Sequence, residues 1–134
     1  MTNSDIEPYL KYWKTRQIKE ESYNKQLAKQ VREQLPSIIK LLVDEFKANK
    51  IILFGSLAKG GFNDNSDIDL AVSGIEPSQY FKALAQVNSI SDRWIDLKPL
   101  ESLEPHFLKR VLETGECLYD SNISKSTAGN RARH

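Results

Sequence analysis

A chain of 134 residues has room for one hydrophobic core, and 40% hydrophobic with 28% charged residues is the balance of an ordinary globular domain. The 19 Lys and Arg nearly match the 18 Asp and Glu, and a net charge of +1 gives no electrostatic ground for a nucleic-acid ligand. No run approaches the ~18 apolar residues of a membrane span, MTNSDIEPYLKYW lacks a signal-peptide profile, and the single cysteine, Cys117, excludes an internal disulfide and a cysteine-based zinc site. A cytoplasmic protein is expected.

Ser4 and Glu7 have the Ser-x-x-Glu spacing of a capping box, and Ile6, Leu10 and Trp13 follow at helical intervals, so the chain opens as helix. Arg16 to Ser22 reads as polar all round, left to solvent or to a partner. Leu27, Val31, Leu35, Ile38, Ile39, Leu42 and Phe46 form a second apolar stripe, expected to pack in the core. Pro36 interrupts it and is expected to kink the helix or start a new one. Ile51 to Phe54 is a continuous apolar run, as in a buried strand. Ser66 to Val72 alternates, with Ile68, Leu70 and Val72 on one face and Asp67, Asp69 and Ala71 on the other. Pro77 suits the first turn of a helix carrying Tyr80, Phe81, Leu84 and Val87. Arg93 to Leu100 reads as a strand with Ile95 and Leu97 inward and Trp94, Asp96 and Lys98 outward, Trp94 packing at an edge. Pro105 opens a last helix, Phe107 to Glu113, stopped at Gly115, and ECLYD returns to the sheet. The expected organisation is a helical segment, 1–48, packed on a core, 49–120, with a mobile polar tail at 121–134.

Three of these segments bring chemistry to one edge. Gly55 lets the backbone approach a ligand closely, and a helical turn starting at Ser56 offers N–H groups to an anion. Asp67 and Asp69 leave the same face of one strand, and Asp96 leaves the outward face of another. Two carboxylates side by side repel, by about 4 kcal/mol at 4 Å and an effective dielectric near 20, so such a group calls for a cation. Phosphate donors beside hard oxygen ligands describe a site for a nucleoside triphosphate with Mg²⁺, or Mn²⁺. Two such ions in an in-line displacement activate the attacking hydroxyl and stabilise the leaving pyrophosphate.

Gly55-Ser56, ten residues, then Asp67-x-Asp69 resembles the signature of the minimal nucleotidyltransferases, the MNT group of the DNA polymerase β-like superfamily. The likeness runs from about Phe46 to Tyr119 and takes in Asp96 within WIDL and the closing ETGECLYD. It implies an α+β fold, a small mixed sheet flanked by helices with an extended N-terminal helical segment. It further implies that Gly55 and Ser56 hold the β- and γ-phosphates of ATP. Asp67 and Asp69 would bind two Mg²⁺ ions, and Asp96 the catalytic one while helping to deprotonate the acceptor. The implied role is that of an antitoxin beside a HEPN-domain toxin, a small helical ribonuclease, silenced by transfer of AMP to a tyrosine. Lys59 stands where the family often has arginine, keeping the charge without the planar fork.

Other residues read more plainly. Ser66 either caps the start of its strand or touches a phosphate. Asp64 is a turn residue, His106 a surface residue, and Cys117 is expected in the core. Two further functions fit the sequence less well. One is an antitoxin that masks its toxin by binding alone, which needs no acidic cluster. The other is transfer to a small molecule, which needs an acceptor pocket for which little chain remains.

Overall fold

The computed structural model describes residues 3–123. Helix α1 (Asn3–Phe46) leads into strand β1 (Lys50–Phe54) and a single helical turn, α2 (Ser56–Lys59). Strand β2 (Ile68–Ser73), helix α3 (Tyr80–Ser89), strand β3 (Ile95–Pro99), helix α4 (Pro105–Thr114) and strand β4 (Glu116–Asp120) follow. The sheet order is β3-β2-β1-β4. β1 runs antiparallel to both neighbours, and β2 and β3 are parallel, as their α3 crossover requires. The fold is the expected α+β one, a mixed sheet flanked by helices.

The two faces of the sheet are covered unequally, and that positions the site. On one face Ile51, Leu53, Ile68, Leu70, Val72 and Ile95 pack beneath α1 and α3. Each of these side chains, buried in full, contributes roughly 1.5–3 kcal/mol. On the other face Ile52, Phe54 and Ala71 pack against Val111 and Phe107 of α4. Asp69 and Asp96 belong to this second face by strand parity, beyond the cover that α4 provides.

Several expectations are corrected. Pro36 does not start a new helix, for α1 runs through it as one. Pro36 is exposed, so the missing hydrogen bond leaves the Arg32 carbonyl without its helical donor. Val31, Leu35, Ile38 and Leu42 stay in register on the core around it. Phe81 is not part of the α3 core face: it is 80% exposed, while Ala83 and Val87 are buried. A 3-10 turn at Pro77–Gln79 precedes α3, and the stripe follows Tyr80, Ala83, Leu84 and Val87. Cys117 is exposed, because β4 is an edge strand. Trp94 is also exposed rather than packed at an edge. Gly115 does stop α4, but with an ordinary φ of −77°. Its need is space, since a Cβ there would lie 2.5 Å from Ile52 Cγ2. Arg16 to Ser22 is not polar all round either, for Ile18 within it is an exposed apolar side chain. The expected tail beyond Ile123 lies outside the described residues. Among those described, no helix is long and apolar enough to cross a membrane.

Candidate active site

β1 delivers the chain to Gly55 in a conformation that glycine alone adopts readily. Its φ is 75° and ψ −158°, a region that costs a residue with a Cβ about 1–3 kcal/mol. A Cβ at Gly55 would also stand 2.2 Å from Asp69 Oδ2. The Asp69 carboxylate therefore lies directly against the backbone of the Gly-Ser turn. Gly55→Ala is expected to destabilise the fold by about 1–3 kcal/mol and to displace Asp69, seen in denaturant unfolding together with weaker ATP binding. Unchanged stability and unchanged binding would contradict the close packing.

The turn that follows is short but regular. The N–H groups of Ala58 and Lys59 both donate to the Gly55 carbonyl, at 3.2 and 3.0 Å. The leading N–H groups of a helical turn have no acceptor within it, which leaves those at the start of α2 for an anion. Lys59 ends the turn, exposed, and lines a cavity of about 210 Å³ with Gly55, Phe107 and Arg110. Arg110 was not among the sequence candidates. Its position on α4 gave no signal, since only the packing of α4 over β1 brings it beside Lys59.

The carboxylates sit at the starts of β2 and β3. Asp69 and Asp96 are register partners on the two parallel strands, and Asp67, just before β2, is exposed. Burial pushes the Asp69 carboxyl above the usual carboxylate range. The neighbouring Asp96 and Asp67 charges push the same way, and Lys98 opposes them. Lys98 Nζ stands 3.2 Å from Asp96 Oδ2. Tyr80, also missed from sequence, has its phenol pushed up to about 12, by burial first and then by Asp96.

The raised Asp69 has a consequence for stability. In the window between the ordinary carboxylate value and its own raised value, the folded chain binds more protons than the unfolded one. Asp69 therefore makes the fold less stable as pH rises through that window. Asp69→Asn is expected to flatten this part of a plot of melting temperature against pH. An unaltered slope would mean that the charge is balanced in the native chain.

The loop between α2 and β2 is braced from two sides. Arg93 Nη1 donates to the carbonyls of Asp64 at 2.8 Å and Ser66 at 3.0 Å, and its guanidinium lies 5.1 Å from the centre of the Phe62 ring. Tyr23 on α1 donates its hydroxyl to Asp64 Oδ1 at 2.9 Å. Asp64 is thus a turn residue that also anchors the loop. Ser66 Oγ accepts the Asn63 N–H at 3.1 Å, which makes it a brace of the loop that carries Asp67. His106 is exposed, as expected.

Two observations bear on a metal. Among the described residues, no three acidic, His or Cys side chains stand close enough together to hold an ion. Asp96 lies instead on Lys98, and Asp69 over Gly55. Yet the Asp69 carboxyl is raised by burial first and then by the Asp96 and Asp67 charges, which a divalent cation would offset, and all three donors are the hard oxygens that Mg²⁺ takes. The donor set fits the ion in chemistry, with Asp96 held aside by Lys98.

Comparison with known proteins agrees with this geometry. The family described as Polymerase beta, Nucleotidyltransferase matches residues 36–124. A Methanocaldococcus jannaschii protein named as a protein adenylyltransferase is 30% identical over 89 residues, 63% of this chain and 89% of its own. A solved toxin–antitoxin structure with AMP-PNP is 31% identical with a TM-score of 0.57, over 67% of this chain and 76% of that one. The structure of a tri-AMPylated Shewanella oneidensis HEPN toxin with its MNT antitoxin matches at 26% identity and a TM-score of 0.54, over 72% and 77%.

Proposed function

The chain belongs to the polymerase β nucleotidyltransferase family, and on that premise we propose that it is an antitoxin that transfers AMP from ATP to a tyrosine hydroxyl of a HEPN-type toxin. The observation that carries this is the contact of the Asp69 carboxylate with the Gly55 backbone, which joins a phosphate-binding turn to an acidic cluster. The names of the relatives add to it: a protein adenylyltransferase, a toxin–antitoxin structure with AMP-PNP, and an AMPylated HEPN toxin in complex with an MNT antitoxin.

In this reading Gly55, Ser56 and the first turn of α2 receive the β- and γ-phosphates. Lys59 and Arg110, which line one cavity with Gly55, add positive charge beside them, and Arg110 supplies the planar fork that Lys59 lacks. Asp67, Asp69 and Asp96 would hold the Mg²⁺ ions, two in number, with Mn²⁺ an alternative. When bound, these ions supply charge to offset the triphosphate and the departing pyrophosphate. The tyrosine oxygen attacks the α-phosphorus, the bond from that phosphorus to the β-bridging oxygen breaks, and pyrophosphate leaves in line. Asp96, on the open part of the face, takes the phenolic proton. Ser66 braces the loop that presents Asp67.

Lys59→Ala and Arg110→Ala are each expected to weaken ATP binding about tenfold, the loss of one charge-assisted contact. Lys59→Arg is expected to bind as well as the parent or better. Calorimetric titration checks this, and an Ala variant that titrates like the parent places that side chain away from the phosphates.

The enzyme is separated from a masking antitoxin by asking what silencing requires. The partner's ribonuclease activity should persist when the two proteins are mixed without ATP and vanish with ATP and Mg²⁺. It should stay absent after the proteins are separated. Equal silencing without ATP would establish a mask.

A further inference from the structure

The family match begins at residue 36, so most of α1 lies outside it, and residues 6–20 of α1 are exposed. Tyr23 reaches the loop at Asp64, and Glu21, Asn24 and Ala28 face Ser56, Gly61 and Phe62 across a cavity of about 270 Å³. Residues 3–20 continue in the same helix for about 27 Å at 1.5 Å per residue. They project beyond the edge of the sheet that carries Gly55 and the carboxylates.

The projecting part is amphipathic in a particular direction. Trp13 precedes the buried Val31 by about five full turns, and Leu10 precedes Ala28 by the same interval. Ile6, Leu10 and Trp13 thus prolong the stripe that packs on the core, past the point where the core ends. They are 43%, 53% and 46% exposed. The stripe continues the sheet-facing side of α1 beyond the residues that face Ser56 and Phe62. Lys14 flanks it on one side. Arg16 flanks it on the other, lying 5.5 Å over the Trp13 ring. From Tyr9 to Lys19 there are four basic residues, Lys11, Lys14, Arg16 and Lys19, and no acidic one.

We propose that residues 6–19 of α1 are a docking arm for the protein that carries the acceptor, gripping an apolar surface rimmed by acidic side chains. The inference rests on the proposed transfer to a partner protein, since an acceptor brought to the Gly55 edge would lie beside a helix that runs past that edge. Over residues 6–19 four basic side chains stand against one acidic, Glu7, and this net positive charge, although Arg16 also pairs with Glu20, disfavours a second copy of the same arm and favours an acidic rim. Exposed Tyr9, Tyr12 and Trp13 beside Arg16 are the residue types enriched in binding hot spots. The hydrogen bond from Tyr23 to Asp64 joins the arm to the loop that carries Asp67, so a docked partner is held at a fixed distance from the site.

The test compares the full chain with Leu10→Glu/Trp13→Glu and with Thr15→Glu, which lies on the opposite face of the arm. The probe is the HEPN-type partner. Its binding is measured by calorimetry without ATP, and AMP transfer is measured across partner concentrations. The double variant is expected to lose about 30-fold or more in partner affinity and to raise KM for the partner with kcat nearly unchanged. Thr15→Glu should match the parent, and all three should keep the thermal shift with ATP and Mg²⁺. Partner affinity and KM unchanged in the double variant would overturn the arm, as would a parent that fails to bind the partner. So would a parent homodimer, or binding to anionic vesicles, that the double variant abolishes while partner binding stays intact. Loss of partner binding in the variant with no transfer by any form would uphold the arm and reject the transferase.

Discussion

Asp67→Asn with Asp69→Asn is expected to reduce AMP transfer by about 10³-fold or more. The substitution keeps side-chain size and removes two negative charges, so folding and packing over Gly55 are preserved while the cation donors are lost. Metal ions contribute several kcal/mol to phosphoryl chemistry, and each 1.36 kcal/mol is tenfold in rate. Asp69 is the more buried of the two. Its carboxyl is held up by burial and by the Asp96 and Asp67 charges, so it is the group a cation would relieve most. Single-turnover transfer with saturating ATP and partner is the measurement. A variant retaining a tenth of the parent rate would remove the carboxylates from the mechanism.

ATP with Mg²⁺ is expected to stabilise the parent by about 2.7 kcal/mol at a hundred times its dissociation constant. For a chain of this size that is roughly 10 °C in melting temperature. The double Asn variant should lose this shift and, without ligand, should melt at the parent's temperature or above at neutral pH. The sign follows from Asp69, whose ionised form burial and its neighbours disfavour in the fold. Differential scanning fluorimetry with and without the nucleotide reads both effects. A double variant that keeps the full shift would place the triphosphate elsewhere.

The parts of the site written in local sequence were legible. Ten residues between Gly55-Ser56 and Asp67, the apolar run of β1 and the alternation of β2 and β3 put Asp69 and Asp96 on one face, where register pairing finds them. Side chains that reach the site across the fold were not legible. Arg110 arrives beside Lys59 because α4 packs over β1, and Arg93 reaches back to the carbonyls at Asp64 and Ser66. Neither contact leaves a periodic trace. Phe81 is exposed because it stands about 100° around the helix from Tyr80, off the face that Ala83 and Val87 bury. Cys117 is exposed as well, since an edge strand exposes residues that a central strand would bury. Pro36 failed as a helix boundary because the core contacts on either side of it hold the helix together.

The central claim is covalent transfer of AMP to a partner protein, and intact-mass spectrometry tests it most directly. The HEPN-type partner is incubated with this chain, ATP and Mg²⁺, separated from it, and weighed. The account predicts a partner heavier by one or more AMP units, with fragmentation placing them on tyrosine, and no increase with the Asp67→Asn/Asp69→Asn variant. A partner that is silenced yet recovered at its unmodified mass would contradict it.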